Sequence, residues 1–320
     1  MAEEYDVAVI GAGIAGLTAA LFASRQKVKA VVISQDLGGQ LNLTPNLQNY
    51  PGFSLTSGEL LARTLEYQVS NYGGIVLFDY VQSIEETEDH SFTINMQNRK
   101  VTCKAVVLAI GKIPRELGLA NEKSLVNKGI HYATRSTAPF YHGRVVATVG
   151  VGSYLVESAL LLSKIARKVY VIYRTSKMAG DRDMISALEK SNNVEHLPNS
   201  EIFELKGTAV LQSLVVKDSA GNLREITVDG LFIEMGSVIN IEFLKQLVKA
   251  NPKGEIEINE FCETSRPGIF AAGDATNSPY KQVIIAGGEG AKAGISAYNY
   301  LQRLAGKPGI RADWKKESKE

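Results

Sequence analysis

Apolar residues along this chain fall in short runs that alternate between a two-residue and a helical period. Tyr5–Ile10 reads as a buried strand, and Leu17–Arg25 after it reads as a helix. Strand-like runs follow at Lys29–Ser34, Ser91–Met96 and Ala105–Ile110, with a helical stretch at Glu59–Asn71. From Gly143 the pattern restarts: strand Val145–Val149, helix Val156–Ala166, strand Lys168–Tyr173. Near Gly254 the texture returns to that of the first part. Such alternation predicts an α/β protein with mainly parallel, doubly wound sheets. The simplest organisation is two nucleotide-binding, Rossmann-like three-layer domains, the second inserted into the first. The boundaries expected are 1–113 with 245–304 for the first domain, 114–244 for the second, and a tail at 305–320. No exact tandem repeat or low-complexity tract interrupts this layout.

Both strand-to-helix junctions are rich in glycine, and they lie 139 residues apart (11 to 150). The first, Gly11-Ala12-Gly13-Ile14-Ala15-Gly16, has the full spacing. Its glycines let a backbone approach a pyrophosphate, which sits on the partial positive charge of the helix N-terminus. The third must be small so that helix and strand pack closely. The second junction, Gly150-Val151-Gly152-Ser153-Tyr154-Leu155, places leucine at that third position. One dinucleotide site is expected to be sound and the other altered. An acidic residue often closes the second strand to hold a ribose; here Ser34 or Gln35 stands there, which weakens that contact.

At 320 residues the chain can bury a sizeable core. Its net charge, 35 minus 34 or +1, gives no reason to expect a nucleic-acid partner. Two cysteines, Cys103 and Cys262, stand far apart in strand-like surroundings, so neither a disulfide framework nor a zinc site is expected, and a reducing cytoplasm suits them. Residues 7–23 are apolar, but Glu3, Glu4 and Asp6 precede them where a targeting segment needs positive charge. No run reaches the roughly 18 consecutive apolar residues of a membrane span. A soluble, cytoplasmic protein is expected.

Four further segments bear on the first glycine turn: Gly38-Gly39-Gln40-Leu41, Asn49-Tyr50-Pro51-Gly52, the strand Val106–Ile110 ending in Gly111, and Gly268–Gly273-Asp274 leading to Lys281-Gln282-Val283. Asp274 has a case of its own: a carboxylate at the end of the apolar strand Ile269–Ala272 sits where doubly wound sheets bind ligands. In this order the segments resemble the FAD-dependent pyridine-nucleotide-disulfide oxidoreductases, in particular the low-molecular-weight thioredoxin reductases, over residues 4–303. That resemblance implies FAD held at Gly11, Gly13, Ile14, Ala15 and Gly16, with Gly39, Gln40, Leu41, Asn49, Ala109, Gly111 and Gly273 around it. Asp274 would accept from ribityl hydroxyls, and Lys281, Gln282 and Val283 would meet the pyrimidine edge of the ring. It also implies a homodimer.

Disulfide-reducing members of that family carry Cys-x-x-Cys-Asp before the second glycine turn. Here the corresponding stretch is Tyr132-Ala133-Thr134-Arg135-Ser136, which has neither thiol nor acid. Tyr132, read at the first thiol, could stack on a flavin face. At the second turn the family's arginine clamp for a 2′-phosphate is reduced to Arg174, with Lys177 nearby and Ala179 where another arginine would stand. NADPH is therefore disfavoured and NADH permitted; Gly150, Gly152, Ser153, Tyr154 and Arg174 would form that weak site. A second flavin stacked on Tyr154 is the more adventurous occupant. The expected function is an FAD-dependent oxidoreductase whose flavin exchanges electrons directly with an external partner, such as a ferredoxin-like protein, NAD(P)H or oxygen. The alternative is a non-catalytic flavin-binding redox sensor. The tail's Trp314, by analogy with thioredoxin-reductase-like ferredoxin–NADP reductases, would cover the flavin.

Overall fold

A computed structural model describes residues 3–240, 242–244 and 247–311. The tail expectation for Trp314 and the side chain of Ser136 lie outside what is described. Strands are β1 Glu3–Ile10, β2 Ala30–Ser34, β3 Ile75–Phe78, β4 Val81–Glu86, β5 Phe92–Met96, β6 Lys100–Leu108, β7 Ile113–Pro114, β8 Ile130–His131, β9 Val145–Gly150, β10 Lys168–Ile172, β11 Val194–Leu197, β12 Ser200–Lys206, β13 Ser213–Asp218, β14 Leu223–Thr227, β15 Gly230–Glu234, β16 Ser237–Val238 and β17 Ile269–Ala271. Helices are α1 Ile14–Ser24, α2 Gly58–Asn71, α3 Glu122–Leu125, α4 Thr134–Thr137, α5 Gly152–Ser163, α6 Arg182–Glu189 and α7 Val283–Leu304.

The first sheet runs β3-β2-β1-β6, all parallel, and its other edge is divided. The opening half of β6 pairs antiparallel with β5, which pairs antiparallel with β4; the closing half pairs parallel with β17. Side chains alternate across this sheet. Val7, Val9, Ala30, Val32, Ala105 and Val107 face α1, α2 and α7, while Ala8, Ile10, Val31, Ile33, Val106 and Leu108 face the layer that includes Phe92, Ile94 and Met96. Both faces are covered, which is why these strands read as continuous apolar runs.

A second, fully parallel sheet follows the order β11-β10-β9-β15-β8. One face packs on α5 and α6 through Leu155, Ala159, Leu162 and Leu188, and the other on the antiparallel sheet β12-β13-β14. The short ribbon of β7 and β16 joins the segment leaving the first sheet to the one returning. Two Rossmann-like units thus stand as expected, with the strand that completes the first sheet supplied after the second. Cys262 departs from its strand-like expectation. It sits in a turn at φ 62, where Asn259 Oδ1 accepts from the backbone N–H of Phe261 and Glu263. Among the described residues no helix is long and apolar enough to cross a membrane.

Candidate functional site

The first glycine turn is built by close approach. At Gly11 (φ 105) a Cβ would lie 2.3 Å from Ala109 O, and at Gly16 one would lie 1.8 Å from Gly11 O. Both are required by the crossing of β1, β6 and α1 themselves. Gly13 differs: the atom nearest its Cβ position is Gly38 O at 3.8 Å, so its freedom serves space and not packing. The long helices divide in the same way. Ser57 caps α2 and Asp181 caps α6, whereas α1, α5 and α7 begin without a side-chain cap. An uncapped N-terminus beside an open glycine suits a pyrophosphate.

Around this turn the structure gathers segments far apart in sequence. Gly39 (φ 52) stands against Gly13, and Gly111 (φ 60) against Gln40, each with a Cβ position 3.9 Å from its neighbour. Gln40 Nε2 donates to Asp274 Oδ2 at 3.3 Å, and Asn49 Nδ2 donates to Gln282 Oε1 at 3.1 Å. Leu41 and Ala109 are buried in the core beneath. Gly273 (φ 82) brings its Cβ position to 3.0 Å from the Ala15 side chain, which sets Asp274 at the carboxyl end of β17, over the start of α1. Burial pushes the Asp274 carboxyl up, while Lys281 and the hydrogen bond from Gln40 pull it back. Lys281 Nζ donates to Thr276 O at 2.5 Å, and Val283 opens α7.

Sequence reasoning missed two acids here, the buried Glu289 and the partly buried Glu255. Glu289, inside α7, accepts from Gly273 N at 2.8 Å and Thr276 Oγ1 at 3.4 Å, so it braces the turn that carries Asp274. Glu255 accepts from Asn251, Lys112 and Lys281. Burial acts upward on it, yet Asn251 and the two lysines prevail and lower its pKa to about 2. Neither acid stands in a recognisable motif. Only the presence of an acid in the small-residue run of α7 between Gly287 and Gly290 could have signalled Glu289.

At the second junction Leu155 explains the missing third glycine. It is buried with Ala159, Leu162 and Phe232, so α5 stands far enough from β9 to admit a full side chain. Gly150 remains essential to packing, its Cβ position lying 2.2 Å from Glu234 O. Ser153 and Tyr154 are exposed on the first turn of α5, and Gly152 has φ 63. Arg174 pairs with Glu201 at 3.0 Å on the exposed surface.

The stretch expected to hold a dithiol is tied into the second unit. Tyr132 OH donates to Glu122 Oε1 at 2.7 Å, and Glu122, fully buried, also accepts from the backbone N–H of Leu117, Gly118 and Leu119. Burial and this carboxylate push the Tyr132 phenol well up. Its ring packs with the core that holds Leu125 and Ile130, so the structure does not bring Tyr132 together with the residues of the first turn. Thr134 Oγ1 donates to Glu234 Oε1 at 2.5 Å beside Ser158, and Arg135 pairs with Glu157 at 2.9 Å. Burial raises Glu234 to about 7, against the pull of Thr134. Burial raises the Cys103 thiol to about 12 and the Cys262 thiol, which donates to Glu289 O at 3.6 Å, to about 11. Neither supplies a thiolate near neutrality.

Known proteins share this architecture. A family model described as pyridine nucleotide-disulphide oxidoreductase matches residues 5–290. The chain is 34% identical over 308 residues to an alkyl hydroperoxide reductase component of Xanthomonas campestris pv. phaseoli, covering 95% of this chain and 58% of that protein. It is 31% identical over 304 residues to an NADH dehydrogenase of Bacillus subtilis, covering 94% and 59%. The chain thus spans about three fifths of the curated relatives' own length. Among solved structures, thioredoxin reductase of Streptococcus pyogenes superposes with a TM-score of 0.84 at 29% identity, covering 95% of this chain and 100% of that one. Thioredoxin reductase of Lactococcus lactis gives a TM-score of 0.67 at 28% identity, covering 94% and 100%. With its two parallel sheets and intact first turn, the chain belongs to the pyridine nucleotide-disulphide oxidoreductase family, a family of FAD-dependent oxidoreductases that work with pyridine nucleotides.

Proposed function

We propose that this protein is an FAD-dependent oxidoreductase whose flavin exchanges electrons directly with an external donor and acceptor, without an internal dithiol. The observation that carries the reading is the contrast between two regions. An open, uncapped glycine turn is surrounded by Gln40, Asn49, Asp274 and Gln282, while the Tyr132–Arg135 stretch carries no thiol and is engaged in hydrogen bonds of its own. Gly13 and the start of α1 would receive the pyrophosphate, and Asp274 the ribityl hydroxyls. Gln282 and Val283 would meet the pyrimidine edge. FAD supplies the redox chemistry when bound; the chain's residues bind and orient it and set the charge around it.

At the second turn, the reduction of the arginine clamp to Arg174, with Ala179 in place of a further arginine, supports NADH over NADPH, because a 2′-phosphate is held tightly only by several guanidinium groups. The β7–β16 ribbon supports the division into a discontinuous FAD domain, 1–113 with 245–304, and an inserted domain, 114–244. A homodimer in the cytoplasm completes the reading. Anaerobic mixing of the FAD-loaded protein with NADH, NADPH or a reduced ferredoxin tests it. Rapid bleaching of the flavin by at least one of them is expected, and no reduction by any would favour the redox-sensor alternative.

A further inference from the structure

The carboxyl ends of β9 and β15 meet where the order of the second sheet reverses, the place where doubly wound sheets take ligands. Glu234 closes β15 there and lies opposite Gly150. A Cβ on Gly150 would stand 2.2 Å from the Glu234 carbonyl oxygen and 2.9 Å from its Cβ. The same oxygen accepts from Val151 N at 3.2 Å, inside the second glycine turn. The Glu234 side chain runs into a chain of hydroxyls between α4, α5 and β9. Thr134 Oγ1 donates to Glu234 Oε1 at 2.5 Å and lies 2.9 Å from Ser158 Oγ, which lies 3.3 Å from Thr148 Oγ1. All three hydroxyl residues are buried.

These donors set Glu234 apart from the other acids of the fold. Glu122 and Glu289 accept from backbone N–H groups, and Glu255 from an amide and two ammoniums, none of which can turn round to accept. Glu234 is met by the Thr134 hydroxyl, with Ser158 and Thr148 behind it. A hydroxyl donates or accepts as it rotates, so this chain serves an ionised carboxylate in one sense and a protonated one in the other. No heavy atom has to move. A glutamine would satisfy the same hydroxyls; what the acid adds is its titration. Arg135 and Glu157, sequence neighbours of Thr134 and Ser158, act on it with opposite sign and are paired with each other at 2.9 Å. On β9, Thr148 and Gly150 carry no charge, and burial holds His131 of β8 neutral, at about 4. Burial therefore prevails and raises the Glu234 carboxyl to about 7.

We propose that Glu234 couples the second glycine turn to protons: a dinucleotide pyrophosphate settling at Gly150–Gly152 draws a proton onto Glu234, and ionised Glu234 weakens the nucleotide. The inference rests on the NADH reading of that turn. A pyrophosphate on one side of Gly150 disfavours a carboxylate on the other, so the bound form holds the proton more tightly than the free one. The coupling is reciprocal, and the proton tightens the nucleotide by the same factor. Binding is thus strong below the free carboxyl's pKa and weakens as pH rises through it. The proton comes from solvent and returns there when the nucleotide leaves, and no covalent bond of the nucleotide changes. Glu234 is a positioning and electrostatic residue.

ADP-ribose is the probe, because it carries the same pyrophosphate, cannot reduce a flavin and does not titrate near neutrality. The full chain is loaded with FAD, so that the first turn is filled. Calorimetry should then show affinity highest near pH 6 and about tenfold weaker by about pH 9. Heats in buffers of different ionisation enthalpy should report about half a proton taken up per ADP-ribose near pH 7.5. Glu234→Gln should keep the acid-side affinity across the range and take up no proton. Thr134→Val removes the hydroxyl that favours the ionised form and should carry the weakening to higher pH. A flat parent profile, a slope that survives in Glu234→Gln, or an unmoved midpoint in Thr134→Val would overturn the assignment of Glu234 alone. A parent chain that binds no ADP-ribose at any pH would overturn it together with the nucleotide reading of the second turn.

Discussion

Gly290 lies where α7 crosses α1, and replacing it with alanine tests how the first site is held. The added Cβ would stand 2.2 Å from Ala15 O, 2.9 Å from its carbonyl carbon and 3.0 Å from its Cα. All three are backbone atoms, so no side chain can turn aside; the helices must separate by roughly 1 Å to restore ordinary contact. Overpacking of this kind costs about 1–3 kcal/mol, and the backbone obstacle places it at the upper end. Alanine recovers about 1 kcal/mol of helix propensity, leaving a net loss of about 2 kcal/mol. Gly288, in the same helix, is the control: it is exposed, with nothing within 4 Å of its Cβ position, so Gly288→Ala should gain about 1 kcal/mol. Urea unfolding of both apoproteins should separate them by about 3 kcal/mol. Equal stabilities, or Gly290→Ala the more stable, would refute the claim that α1 and α7 cross in backbone contact at Gly290.

Gly13→Ala has the opposite logic. With no atom closer than 3.8 Å to its Cβ position and an ordinary φ of −75, the apoprotein should unfold within about 0.5 kcal/mol of the parent, while calorimetric titration shows FAD affinity falling tenfold or more. Tyr132→Phe removes one of four donors to the buried Glu122 and should cost about 1.5–3 kcal/mol by chemical denaturation; unchanged stability would refute the bracing role of its hydroxyl. Glu234 is raised from 4.5 to about 7 by burial, so the folded protein holds the proton more tightly. Its stabilising contribution is complete below pH 4.5 and is lost as pH rises to about 7, a swing on the order of 3 kcal/mol that Glu234→Gln should abolish in unfolding free energies measured across that window.

The glycine turn, the parallel texture and the order of segments around Asp274 were legible because each depends on local pattern. Gly11 and Gly16 announce close backbone approach wherever they occur, and the apolar runs of β1, β2 and β6 announce burial on both faces. Leu155 could be read as a departure but not explained, since the room it occupies depends on how far α5 stands from β9. Glu122, Glu255 and Glu289 were invisible for a related reason. An acid becomes a buried brace only when donors from elsewhere in the chain converge on it, such as the loop 117–119 and Tyr132, or Lys112 with Lys281. The split edge of β6 was likewise beyond local pattern: Lys100, Thr102 and Lys104 alternate through its opening half while Ala105–Leu108 is uniformly apolar, but neither pattern names a partner. Cys262 misled because the alternation of Ile256 and Ile258 runs on toward it, whereas Asn259 folds the chain there into a turn.

That divided edge of β6 also bears on how the protein is made. Its opening half finds β5 almost at once along the chain, but its closing half waits for β17, and the whole second sheet lies between them in sequence. Until residues 269–271 are synthesised, the stretch Val106–Leu108 has an unsatisfied edge, and α1 lacks the helix that packs against it. The pairings of the second sheet all lie within residues 130–234, so it can form during this wait, whereas the first is sealed by contacts with residues made later. A nascent chain therefore carries an adhesive half-sheet from residue 108 until residue 269, and the ability to take up a cofactor at Gly11–Gly16 follows that closure.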